Sequence, residues 1–220
     1  MSASLVGSEM CIRDSPKGAF TKGQELILKT IAITISLIAW IWAFVLLAKS
    51  DVHPAYFVAG HVMVGLACIC TSLIALVATI ARQIRNVYTD RERKRWPKLV
   101  LLMGTVSLLW GLFVIFSDSS TTNGVIGYIM IGLGLVCYSI SSKVILLAKI
   151  WGREFALANR IPLIPVLTAL ACLFLASFVF ELGTTHDDYF IPARVLAGLG
   201  AICFTLFSIV SILESGTSSK

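Results

Sequence analysis

The chain has 220 residues; 57% are apolar and only 14% charged, against about 25% charged in an average soluble domain. With a mean hydropathy of +0.89, it has more apolar surface than its polar side chains can cover in water. Composition therefore indicates an integral membrane protein and argues against a secreted disulfide scaffold, a nucleic-acid binder and an ordinary cytosolic enzyme. The net charge of +6 is read below as a marker of membrane orientation.

Residues 5–15, from Leu5 to Ser15, resemble the conceptual translation of a transposase-type sequencing-library adapter. Residues 1–15 are accordingly expected to be an artefact without stable contacts. A single membrane domain is expected over residues 16–220. The same reading implies that natural sequence upstream of Pro16 is missing.

Six stretches reach the roughly 20 apolar residues a membrane helix needs. They are 26–48, 55–81, 99–117, 124–148, 162–182 and 192–213. Between the second and third lie Arg82, Arg85, Arg91, Arg93, Lys94, Arg95 and Lys98, expected to form a juxtamembrane basic loop. Between the fourth and fifth lie Lys149, Arg153 and Arg160. The other loops are short and carry Asp51, Asp118, Asp187 and Asp188. Counting Lys17, Lys22, Lys29, Lys143 and Lys220, fifteen bases fall on one side, with only Lys49 and Arg194 on the other. Bases accumulate on the cytoplasmic side, so both ends of the segment are expected there. Pro54, Asn159 with Pro162, and Pro192 mark helix starts, where a missing N–H costs little.

An internal repeat is the most informative feature. A Gly-Leu step followed by a cysteine occurs at Gly65 to Cys70, Gly132 to Cys137 and Gly198 to Cys203, at offsets of 67 and 66 residues. The expected fold is all-α: a polytopic membrane protein of six transmembrane helices, arranged as three parallel hairpin repeats over about 24–86, 98–150 and 160–214. On each even-numbered helix, spacings of three and four align one face. The faces are His61, Gly65, Cys68, Ser72; Tyr128, Gly132, Leu135, Ser139; and Arg194, Gly198, Ala201, Thr205.

Two readings of these faces stand side by side. In the first, Gly65, Gly132 and Gly198 let helices pack closely, and the hydroxyls bond across the interface. In the second, His61, Tyr128, Arg194, Ser72, Ser139 and Thr205 line a shared cavity or pore. Ionisable residues at membrane depth usually point inward, which favours a role for His61 and Arg194. An unperturbed imidazole titrates near about pH 6.5, making His61 the candidate pH sensor. Against this, His61 also reads as a packed neutral histidine, and Arg194 as the ion-pair partner of Glu181. Lys143 is expected to snorkel to the headgroups. His53 and His186, even with Asp51, Asp187 and Asp188, do not supply a clear metal-ligand set. Cys70, Cys137 and Cys203 read as small apolar residues. No nucleophile motif, phosphate loop or paired carboxylate lies within the membrane stretches, so neither enzyme activity nor a cofactor is expected. The expected partners are the lipid bilayer and a small ion or solute, not nucleic acid.

The stretches Phe57 to Val62, Ala158 to Pro165 and Tyr189 to Val195 resemble the YhiM family of bacterial inner-membrane proteins, as does the helix from Gly198 to Glu214. The resemblance covers about residues 24–217. It implies a longer parent with further hairpins, a ten-helix or similar inner-membrane fold, and a link to survival at low pH, with channel activity as an expectation. It assigns no catalytic residues. Hairpins missing from this segment, or further copies of the chain, are the protein partners it suggests.

Overall fold

The computed structural model describes residues 21–152 and 161–218, with side chains described as far as Ile209. The proposed artefact at residues 1–15 and the helix-start residue Asn159 lie outside the described residues. Six long helices follow one another: α1 Lys22–Ala48, α2 Pro54–Ile84, α3 Asp90–Ser117, α4 Thr121–Trp151, α5 Leu163–Gly183 and α6 Phe190–Ser218. A single 3₁₀ turn, Asp187–Tyr189, leads into α6. All six are long and apolar enough to cross a membrane.

Local chemistry sets the ends. His53 Nδ1 accepts from the Ala55 amide at 3.0 Å and caps α2, with Pro54 in its first turn. This gives His53 a structural task. The other end of α2 closes in a Schellman motif. Asn86 takes the left-handed conformation (φ 56°), Val87 N–H donates to Arg82 O, and Asn86 N–H donates to Gln83 O.

The basic stretch corrects an expectation. Arg91 to Lys98 is not a loop but the opening turns of α3. Thr89 and Glu92 form a reciprocal capping box, which starts the helix nine residues before its apolar run. Only residues 85–89 connect α2 to α3.

Helices adjacent in sequence pack as α1 on α2, α3 on α4 and α5 on α6; α4 also touches α2, α5 and α6. Over its most apolar stretch α4 is 78% buried, α1 only 17%. The central helix is thus α4, and α1 presents Leu26, Ile31, Ile35, Ile38 and Ile41 outward, as a lipid-facing helix does. Helix contact in a bilayer draws on close packing and interhelical hydrogen bonds. Both occur here. Ser107 donates to Met130 O at 2.9 Å, Thr105 and Tyr138 hydroxyls lie 2.7 Å apart, and Gln83 donates to Leu147 O at 2.9 Å.

Candidate functional site

The three residues at the head of the repeated faces have three different surroundings. His61 is buried on α2, its ring 4.3 Å from Phe57 and 6.2 Å from Trp110 of α3. Its Nδ1 lies 2.8 Å from Phe57 O; a carbonyl only accepts, so Nδ1 carries the proton. Tyr128 packs edge-on against Phe178 of α5, at 6.4 Å, and Tyr189, at 6.2 Å. Arg194 is exposed. Glu181 is exposed too, and no ion pair joins the two among the described residues. The reason lies in the rotation of α6: Ala193 and Leu196 face the α5 residues Ala176 and Val179, which turns Arg194 away from that seam.

Below these heads, the faces of α2 and α4 each meet the next even-numbered helix. A Cβ at Gly65 would lie 2.5 Å from Leu133 Cδ1 of α4, and one at Gly132 would lie 2.7 Å from Leu199 Cδ1 of α6. Cβ atoms do not approach that closely, so both glycines admit a neighbouring leucine. One level further on, the Cys137 thiol lies beside Ser72 and the Cys203 thiol beside Ser139. Gly198 is different: among the described residues nothing lies within 4 Å of its would-be Cβ. Ala201 and Thr205 on the same face are exposed. Ser72 and Thr205 return their hydroxyls to carbonyls of their own helices, Cys68 O at 2.8 Å and Ala201 O at 3.0 Å. Ser139 Oγ is buried beside the Cys203 thiol.

Ser139 belongs to a polar run on the central helix. Ser139, Ser141, Ser142 and Lys143 are all buried, the lysine only 8% exposed. Lys143 sits eight residues before Trp151, about 12 Å along the helix axis at 1.5 Å per residue. Snorkelling would carry its ammonium to an exposed rim; the side chain stays inside the bundle. No carboxylate pairs with it among the described residues.

A second polar cluster ties the basic ends of three helices together. Glu25 of α1, only 5% exposed, pairs with Lys29 one turn on and with Arg85 of α2. Arg82 lies 3.8 Å from Glu25 and 2.7 Å from Glu92, the capping residue of α3. Arg82 also donates to Val87 O at 3.0 Å, holding the connection itself. Beside it Tyr88 is buried edge-on to Trp151 at 5.9 Å, and burial raises its phenol above the ordinary value.

The family model described as "Protein of unknown function (DUF2776)" matches residues 7–218. This chain belongs to the DUF2776 family. It is also 51% identical over 206 residues to "Inner membrane protein YhiM" of Escherichia coli (strain K12), a match covering 94% of this chain and 59% of that relative. The chain thus spans under two thirds of the relative's length, and the YhiM resemblance read from its motifs stands. No solved structure matches.

Several residues of this DUF2776 protein escaped sequence reasoning. Glu25 left only the i,i+4 spacing to Lys29 as a local signal, because its other partners Arg82 and Arg85 lie about 60 residues away in the chain. Glu92 did leave one: Thr89 stands three residues before it, the spacing of a capping box. For Lys143 the signal was the adjoining serine pair, which fits a buried polar run better than a lipid-facing turn.

Proposed function

We propose that this chain is a multi-pass protein of the bacterial inner membrane, inserted as three hairpins of like orientation with both ends of the segment cytoplasmic. We further propose that it forms part of a channel or transporter for a small anion or a proton-coupled solute. The observation that carries the second reading is Lys143: a buried ammonium, with no carboxylate partner among the described residues, beside three buried serines on the central helix. A charge inside the bundle of a membrane protein is costly, and such residues commonly mark ion or substrate paths. A lysine suits an anion, since cationic linings favour anions; the adjoining Ser141 and Ser142 hydroxyls donate to Tyr138 O and Ser139 O of their own helix, both at 2.6 Å. The low-pH survival role implied by the YhiM resemblance fits a pathway that responds to acid.

The transport reading predicts an anion flux in liposomes holding this chain or, in parallel, the longer relative. Lys143→Gln should lower that flux about tenfold or more, as loss of a pore-lining charge does. Flux compared at about pH 7 and about pH 5 tests whether the pathway responds to acid. Wild-type flux in Lys143→Gln at equal incorporation would remove the lysine from the pathway.

A second reading, a membrane interaction or stress-adaptation protein that transports nothing, is favoured by a different observation. His61, Ser72 and Thr205 all direct their polar atoms to carbonyls of their own helices. Correctly inserted protein without conductance at either pH would support it.

Orientation is tested independently. Single cysteines replacing Arg93 and Ser119 should react with impermeant maleimide from opposite faces of the membrane. Labelling of both from one face would refute the hairpin arrangement, because α3 would not cross.

A further inference from the structure

The contacts between even-numbered helices run in one direction. At Gly65, α2 receives Leu133, the residue that follows Gly132; at Gly132, α4 receives Leu199, the residue that follows Gly198. The second level keeps the same order, with Cys137 beside Ser72 and Cys203 beside Ser139. Each helix therefore gives a leucine and a cysteine to the helix before it and offers a glycine and a hydroxyl to the helix after it. Such a head-to-tail joint leaves two unmatched ends. At one end, the α6 acceptor face is open, with Gly198, Ala201 and Thr205 exposed. At the other, the α2 donor residues are uncovered, Leu66 being 39% exposed and Cys70 half-buried.

We propose that the Gly198 face of α6 is the docking surface for one further helix of this repeat, carried by an additional hairpin of the same polypeptide. Its leucine would seat on Gly198, and its cysteine would lie beside Thr205. The proposal rests on the hairpin-repeat reading above and continues an interface already formed twice in this chain. The open face also carries Arg194, a poor neighbour for lipid and a reasonable one for a polar helix end. Length supports the choice of occupant. The 206 matched residues are 59% of the curated relative, so about 143 of its residues lie outside the match, room for two hairpins of 66 or 67.

The test uses the longer relative in nanodiscs, with a cysteine at the position matching Ala201 carrying a benzophenone. Illumination should give a crosslink within one polypeptide, mapped by mass spectrometry to a segment outside the 206 matched residues. A crosslink joining two copies would make the occupant a second molecule and overturn the proposal. Capture by lipid alone, or by the three matched hairpins, would also overturn it. Labelling at the positions matching Arg93 and Ser119 separates the two ideas. Same-side labelling removes the repeat itself, whereas opposite-side labelling with lipid-only capture removes the joint and leaves the repeat.

Discussion

Gly111→Val should prevent stable folding, while Gly198→Val should leave the stability of this chain unchanged. A Cβ at Gly111 would lie 2.7 Å from Gly127 O, 2.9 Å from Met130 Cβ and 3.0 Å from Ile131 N. Two of those three atoms are backbone, so no rotamer change makes room. At Gly104, seven residues earlier on α3, a Cβ would lie 3.3 Å from Gly134 O, again against backbone. The α3–α4 crossing depends on this approach, and so do the Ser107 and Tyr138 hydrogen bonds across it. Overpacking typically costs about 1–3 kcal/mol and more where the backbone cannot yield. Against a total stability of roughly 5–15 kcal/mol, the loss of one crossing and its hydrogen bonds is severe. Gly132→Val should fall between the two, because the atoms it meets are the flexible tips of Leu196 and Leu199. At Gly198 there is open space among the described residues, and valine is a slightly better helix former than glycine, by roughly a few tenths of a kcal/mol. Thermal unfolding in detergent, followed by size-exclusion recovery, ranks the three. A wild-type melting temperature for Gly111→Val would mean that α3 and α4 do not cross as described.

The number and order of the helices were legible because apolar run length is a local property. Helix starts were less so. Arg91 to Lys98 reads as a loop by charge, yet Thr89 and Glu92 cap a helix there, and charged opening turns are stable wherever they project beyond the apolar slab. The spacing of Gly65, Gly132 and Gly198 was visible; that Gly65 faces Leu133, and Gly132 faces Leu196 and Leu199, was not. What lies opposite each face was not visible, since that depends on helix rotation, which sequence offsets do not specify. His61 turns toward Trp110, Tyr128 toward Phe178, and Arg194 away from α5. The α3–α4 glycine contacts escaped for a related reason: Gly104, Gly111, Gly127 and Gly134 mean little until the two helices are laid against each other.

Glu25→Gln should weaken the bundle and loosen α1 from α2. Glu25 is 5% exposed and answers Lys29, Arg85 and, at 3.8 Å, Arg82. The amide keeps the shape and removes the charge, leaving Lys29 and Arg85 without their carboxylate in a half-buried place. Breaking a fully buried pair costs about 3–5 kcal/mol. The side chains of Lys29 and Arg85 are each 23% exposed, so water screens part of the repulsion and the expected loss is about 2 kcal/mol. Arg82 keeps Glu92, at 2.7 Å, so the α2–α3 connection should survive while α1 separates first. Proteolysis or hydrogen exchange localised to α1, with α3 protected, distinguishes this from global unfolding. Adding Arg85→Leu to Glu25→Gln removes the uncompensated cation and should recover part of the lost stability. If the double variant is no more stable than Glu25→Gln alone, the carboxylate acts through packing and its place in the first turn of α1, not by neutralising Arg85.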